Sequence, residues 1–382
     1  MLIKTNSLDK DDRLRKEANV FSKYGYKIAI NALLDENQKR EFFAYNGVKV
    51  FEIKLISRKF FSNAKALIVK SIELLIKSLI NIIKIRPSCV WVHDYDFILL
   101  MPLLIIFRKI GFIKKIVWDQ HELPSLFTKN NGFLKFIIKY LMNNVDIIIV
   151  TNEYRRKYIV DKYNIKTKVE IIENYPDINF VNYEYKDLPE EVIQWLNNSQ
   201  YFFVQNGFNE DRAFVELVKS FIKYVEDNNS EEKLIVVGGG PIELKNKVEK
   251  EIGIERFRKN ILLLKSVPQF SLIPFIDNAI ASIIFYKNKK DLNQLYCSPN
   301  RLFQALCRKT PVIVGNNPPM RRLVEKNEIG VVADTLGENV EKIYNAFVEF
   351  NKNSSKYKEN LEKCKLKSWE SQEEVLLDVI RK

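Results

Sequence analysis

Short apolar runs separated by amphipathic stretches recur along the 382-residue chain. In the first half the strand-like runs are Leu2–Thr5, Tyr26–Ala32, Val48–Lys54, Ser88–Val92, Lys115–Trp118, Asp146–Thr151 and Lys168–Ile172. Between them apolar residues return at helical spacing, as in Asp11–Lys23, Asn63–Ile83 and Glu153–Tyr163. This alternation predicts a parallel sheet with helices on both faces and ligands beyond the carboxyl ends of its strands.

The pattern restarts after Asn174-Tyr175-Pro176-Asp177 and a polar stretch to Pro189, read as a linker. The second set of runs is Tyr201–Gln205, Lys233–Val237, Ile261–Leu264, Ala281–Phe285, Val312–Val314 and Gly330–Ala333. The expected architecture is α/β: two Rossmann-like, doubly wound parallel-sheet domains facing a central cleft, over residues 1–180 and 190–353. A tail, residues 354–382, is rich in Lys and Glu with Trp369, Val375, Leu376 and Ile380, and reads as helix.

The chain has 61 Lys and Arg against 48 Asp and Glu, a net charge of +13 that favours anionic partners. No RNA-binding signature, zinc-finger spacing or leucine zipper accompanies it, so lipid surfaces and phosphorylated small molecules are preferred over nucleic acid. Cys89, Cys297, Cys307 and Cys364 lie far apart, with no C-x-x-C pair and only two histidines in the chain. Structural zinc and a disulfide framework are not expected, and a reducing cytosol fits. Met1-Leu2-Ile3-Lys4 runs straight into polar residues, so no signal peptide is expected here. The longest uncharged apolar run, Phe97–Phe107, is too short to span a bilayer and contains Pro102.

From Phe60 to Arg86, Lys59, Lys70, Glu73, Lys77 and Lys84 fall near one helical face, and large aliphatics cover much of the rest. So narrow a polar stripe fits a helix packed on a sheet. The alternative is an interfacial helix on an anionic membrane, where Lys59 and Lys65 would touch lipid.

Ser298 to Gly315 reads S-P-N-R-L-F-Q-A-L-C-R-K-T-P-V-I-V-G. Ser298 is read as a helix cap and Pro299 as the first helical position. Leu302, Phe303 and Leu306 form an apolar stripe, and Pro311-Val312-Ile313-Val314 a short buried strand. A helix start carrying Asn300 and Arg301 beside such a strand is a ready anion site. Continued by Asn317-Pro318-Pro319-Met320-Arg321 and Glu328-Ile329-Gly330-Val331-Val332, the segment resembles the donor-binding half of GT-B glycosyltransferases of the family-4 kind. Those read roughly P-N-K-L-F-E-A-M-A-x-G-x-P-V-I. Two departures stand out: Gln304 replaces a Glu that binds the ribose, and Tyr296 replaces its companion Glu.

The resemblance extends over nearly the whole chain and implies roles for other loops. Asp119-Gln120-His121-Glu122-Leu123-Pro124 resembles the family's D-x-H-E loop. It would put His121 near the reacting sugar, with Glu122 and Asp119 shaping or charging the pocket as domains close. Read alone, Asp119 and His121 equally suit capping of the next helix. His93-Asp94 resembles a V-H-D strand end and either lines the cleft or is a hydrogen-bonded loop pair. Asn152 reads as a cap for the helix at Glu153.

Thr5 to Ala18 resembles the first loop and its D-x-R-x-x-K-E-A helix, without the usual glycines, and Arg13 faces either the cleft or solvent. Gln205 to Arg212 resembles the G-G-x-x-x-x-R-G segment, keeping Gly207 and offering Arg212 for a phosphate. Gly238-Gly239-Gly240-Pro241 resembles the family's G-x-G-P, with Gly238 and Gly239 as donor-site walls, although glycines here also serve tight packing. Lys265-Ser266-Val267-Pro268 resembles G-x-V-P, whose backbone, at Val267, reads the base, while Lys265 faces a phosphate or solvent.

The resemblance therefore implies a retaining hexosyltransferase that needs no metal or other cofactor. The donor set is Arg212, Gly207, Gly238, Gly239, Lys265, Val267, Ser298, Asn300, Arg301 and Gln304. The partners implied are a nucleotide-sugar, a saccharide or lipid-linked acceptor of surface-polysaccharide or lipopolysaccharide assembly, and an anionic membrane surface, but no nucleic acid. The expected location is the cytoplasm or the inner face of its membrane, with the C-terminal helix crossing back to the first domain. A sugar-nucleotide epimerase of the same fold would need more cleft histidines and carboxylates. A non-catalytic nucleotide-sugar-binding protein stays open through Tyr296 and Gln304.

Overall fold

A computed structural model describes residues 1–4, 12–33, 48–60, 67–124, 131–184 and 187–381. The loop expected at Thr5–Asp11, the helix start at Asn63 and Lys65 lie outside the described residues. The chain divides into two compact units, Met1–Glu173 with Ser371–Lys382, and Asn174–Glu370.

Unit 1 is built on a seven-stranded parallel sheet in the order β3-β2-β1-β4-β5-β6-β7. The strands are β1 (Leu2–Lys4), β2 (Ile28–Leu33), β3 (Val48–Ile53), β4 (Cys89–His93), β5 (Lys115–Gln120), β6 (Ile147–Val150) and β7 (Lys168–Ile171). β6 is apolar and buried throughout, and β5 is buried from Ile116 on, as expected when helices cover both faces, with its polar Asp119 and Gln120 at the carboxyl end. Right-handed crossovers put the helices Leu67–Ile85, Met101–Lys109, Gly132–Met142 and Glu153–Tyr163 on one face and Asp12–Lys23 on the other. The side chains agree. Asn31 Nδ2 donates to Ser78 Oγ at 3.1 Å on the first face, while Arg13 reaches Asp119 on the second. Asn152 caps Glu153–Tyr163 by accepting from Arg155 N at 3.0 Å.

Unit 2 carries a six-stranded parallel sheet in the order β10-β9-β8-β11-β12-β13. Its strands are β8 (Tyr201–Gln205), β9 (Lys233–Val237), β10 (Ile261–Leu264), β11 (Ala281–Ile284), β12 (Val312–Val314) and β13 (Gly330–Val332). One face packs an aromatic core in which Phe202 meets Phe347 edge-on, centroids 4.9 Å apart. The other face mixes aliphatics such as Ile235, Leu306 and Val324 with aromatics, Phe203 stacking on Phe275 at 6.0 Å.

The tail does not leave unit 2 at residue 354, because Val340–Lys363 is one unbroken helix. Its Tyr357 and Leu361 are buried in unit 2 cores, which holds that stretch in place. The chain rejoins unit 1 at Ser371. There Glu373 pairs with Lys23 at 2.7 Å, and Lys115 Nζ donates to the terminal carbonyls of Val379 and Ile380, a basic group at a helix C-terminus.

Both sheets reverse winding direction once, between β1 and β4 in unit 1 and between β8 and β11 in unit 2. Such switch points open a crevice at the strand carboxyl ends. The chemistry-bearing residues of each unit gather there.

Candidate functional site

In unit 1 the ends of β4 and β5 meet the helix Asp12–Lys23. Arg13, one turn before Glu17 on the buried side of that helix, donates Nε and Nη2 to the two oxygens of Asp119, at 3.0 and 3.1 Å. It also donates to Glu17 Oε1 at 3.1 Å and to the Ile172 carbonyl at 2.8 Å. His93 sits between Glu17 Oε2, 3.2 Å from Nε2, and Asp119 Oδ2, 3.8 Å from Nδ1. His93 is therefore an enclosed, hydrogen-bonded residue and not one that lines an opening.

His121 is the partly exposed member of this cluster. Its Nε2 lies 3.4 Å from Asp119 Oδ1 and 3.5 Å from His93 Nδ1. Its backbone is pinned because His121 N donates to Asp94 Oδ1 at 3.1 Å. Asp94 can do this because it adopts a left-handed conformation, φ 57°, which Asp tolerates. Glu122, expected in the pocket, is exposed at the next position.

Asp119, expected to charge the pocket, has no exposed surface, and both its oxygens are held by Arg13. Burial alone would raise this carboxyl, but Arg13, then His121 and His93, hold it well below the usual carboxylate range. It stays an anion that orients imidazoles. His93, Asp119 and His121 each bring one ligand atom within 4.8 Å of the others, a spacing that three metal ligands also show. Arg13 lies across both Asp119 oxygens, which ties the same residues into an ion-pair network.

Unit 2 presents the opposite balance. After β8, Asn209 caps the short turn Glu210–Arg212, and Ala213 is left-handed at φ 60°. This turn brings the Arg212 guanidinium 3.6 Å above the Tyr286 ring, at the end of β11. Arg301, from the first turn of the helix Asn300–Cys307, lies 4.7 Å from the same ring and donates to the Gln205 carbonyl. Two arginines thus share one aromatic platform at the switch point. Burial lowers the Arg212 guanidinium from its ordinary value; Tyr286 opposes this, and Arg301 adds to it. Among the described residues, Arg212 Nη1, Arg301 Nε and the nearby Gln304 Oε1 are buried with no hydrogen-bond partner.

The other expected donor residues follow the same rim. Gly207 is needed because a Cβ there would sit 2.1 Å from Val204 Cγ1. Gly238 has φ +138° and backs onto Asn206, whose N donates to the Val237 carbonyl. Gly239 meets no such crowding, and its N donates to Ser266 Oγ at 3.1 Å. Lys265 and Val267 line a cavity of about 570 Å³ beside β10, with Lys265 exposed. Ser298 is buried but is not the cap. Pro299 takes that position with ψ 150°, an extended conformation that excludes it from the helix, which starts at the exposed Asn300.

Sequence reasoning had kept solvent open for Arg13 and had not singled out Glu17 as a partner or Tyr286 at all. Arg13 and Glu17 left the i, i+4 signal of a helix face. Tyr286 left only its position after a buried strand.

No family model matches this sequence, and no curated protein does. Solved structures do match. Sucrose-phosphate synthase from Thermosynechococcus elongatus superposes with a TM-score of 0.73 at 11% identity, covering 100% of this chain and 97% of that one. The E. coli trehalose-6-phosphate structure bound with UDP-2-fluoro glucose gives 0.68 at 10% identity, covering 100% and 98%. Anabaena HepE in complex with UDP and glucose gives 0.69 at 11% identity, covering 99% and 98%. The chain therefore has the GT-B fold.

Proposed function

We propose that this GT-B chain is a glycosyltransferase that moves a sugar from a nucleoside-diphosphate sugar to a saccharide acceptor with retention of anomeric configuration. The observation that carries this is the pair of partly and fully buried arginines on Tyr286, each with a donor that no described residue accepts. Two adjacent cations in a buried setting repel one another, and a bound diphosphate removes that cost while filling both donors.

The diphosphate would be held by Arg212 and Arg301, with the free amides at Asn300 adding the helix start's partial positive charge. The same fixed charges would stabilise the leaving diphosphate as the glycosidic bond breaks, which is the task a divalent cation performs elsewhere. Gln304, buried beside them, would bond sugar or ribose hydroxyls through its amide. The neighbours' bound UDP-2-fluoro glucose and UDP support a nucleotide-sugar over other diphosphates. His121, oriented by Asp119 and Asp94, is assigned the acceptor side, with a lipid-linked intermediate of surface-polysaccharide assembly as its substrate class.

The test is thermal stabilisation by a panel of nucleoside diphosphates and their sugars, beside Arg212→Ala. One nucleotide at 100 times its dissociation constant should add about 2.7 kcal/mol, and the variant should lose it. Binding by none, or equal binding by the variant, would sink the reading. A second reading, binding without transfer, draws on the amide at Gln304 in place of a carboxylate. Release of free sugar from the donor in water decides against it.

A further inference from the structure

The helix Leu67–Ile85 does not simply bury its apolar side. Ser78 and Ile82 are fully enclosed against the sheet, yet Val69, Ile72, Ile76, Ile80 and Ile83 recur at helical spacing on the outside, each 43% to 51% exposed. Large apolar groups left at such periodicity form a continuous stripe, not the scattered exposures that any surface carries.

Two more helices on the same face of that sheet do likewise. On Met101–Lys109 and its end, Ile106 and Ile110 are 51% and 69% exposed. On Gly132–Met142, Phe133, Phe136 and Tyr140 form a second helical stripe, the two phenylalanines 71% and 66% exposed. The three helices carry seven Lys and Arg and one acidic residue, Glu73, which is already paired with Lys77 at 2.7 Å.

We infer that this face of unit 1 docks on an anionic phospholipid bilayer, with the aliphatic and aromatic side chains in the acyl boundary and the lysines at the phosphates. Charge decides the occupant. A second copy would set two basic faces against each other, whereas anionic headgroups complement them, and lysine stems reach past apolar neighbours to do so. No helix among the described residues is long and apolar enough to cross the membrane. The inference rests on the lipid-linked acceptor reading for its biological sense only. Its measurement uses no donor, so its failure and that of the nucleotide titration are separate results.

The experiment is co-sedimentation of the full chain with vesicles of phosphatidylcholine alone or mixed with phosphatidylglycerol, at low and high salt. Binding to the mixed vesicles, weakened by salt, is expected, with each lysine on this face contributing about fivefold in partitioning. Ile76→Asp with Ile80→Asp should reduce it at least tenfold, since both side chains already face outward and the melting temperature should hold. Lys135→Gln with Lys139→Gln, on the other stripe, should reduce it about 25-fold. No binding, equal binding to neutral vesicles, unchanged binding by the variants, or a dimer abolished by the Ile76 and Ile80 changes would each overturn the inference.

Discussion

Replacing Arg13 with methionine keeps an unbranched apolar stem but removes the guanidinium that donates to both Asp119 and Glu17. Both carboxylates have no exposed surface, and Arg13 donates to each at 3.0 to 3.1 Å. Removing one partner of a buried ion pair typically costs about 3–5 kcal/mol, since the remaining charge stays desolvated and uncompensated. That is a large share of an ordinary domain's stability. The pH dependence has a definite sign. With Arg13 present, Asp119 titrates well below its unfolded value of about 4, so its contribution is present above that value and lost only as pH falls through the depressed one. Without Arg13, the largest of the charges that oppose burial is gone, the native carboxyl rises, and stability is lost as pH rises through the raised value. The gap between the two proteins should widen from about pH 4 to pH 7 and close below. Urea unfolding across that range, followed by tryptophan fluorescence, measures it, since Trp91 Nε1 lies 3.4 Å from Asp119 Oδ2. A second variant, Arg13→Met with Asp119→Asn, should recover part of the loss. A gap below about 1 kcal/mol at neutral pH, or one that pH leaves unchanged, would refute the reasoning.

Two further predictions concern unit 2. Tyr286→Leu should weaken nucleoside-diphosphate binding about 3- to 30-fold through loss of the shared ring, while Tyr286→Phe should keep most of it; equal effects in calorimetric titration would show that the hydroxyl matters and the ring does not. Gly238→Ala should destabilise by about 1–3 kcal/mol, because φ +138° strains any side chain and the new Cβ would lie 2.9 Å from Asn206 Cα, and thermal unfolding checks it.

The thirteen strands among the described residues were legible because parallel strands covered on both faces read as apolar, Val- and Ile-rich runs, a signal that tolerates errors of a residue or two at the ends. Asn152 as a cap was legible for a local reason: the hydrogen bond spans three residues. What escaped were long-range partners. Arg13 and Asp119 stand 106 positions apart, and Arg301 and Gln205 stand 96 apart, so no window of sequence contains either pair. The helix from Leu67 was legible as one packed on a sheet, but the pattern did not tell which aliphatics the sheet covers: one sheet covers only one side of a helix, and the outer aliphatics stay exposed. Ser298 misled because serine before proline looks like a cap, whereas Pro299 took the extended capping conformation itself.

The two switch points share one topology and differ in charge balance, and the proposed donor site rests on that difference. In unit 1, the charge of Arg13 is met from within the cluster by Asp119 and Glu17. Its product is position: a partly exposed imidazole, His121, held by Asp94 and Asp119. In unit 2, Arg212 and Arg301 stand over one ring with no carboxylate paired to either in the described residues, and burial already pushes the first guanidinium down. A chain has no folding reason to keep two adjacent, partly desolvated cations unmatched, because an Asp or Glu there would stabilise it. The nucleoside diphosphate proposed above would carry the missing charge. The same logic predicts that Arg301→Gln, by easing the repulsion, stabilises the free protein slightly while it weakens the nucleotide complex, and that opposition is the signature that separates a binding site from a structural pair.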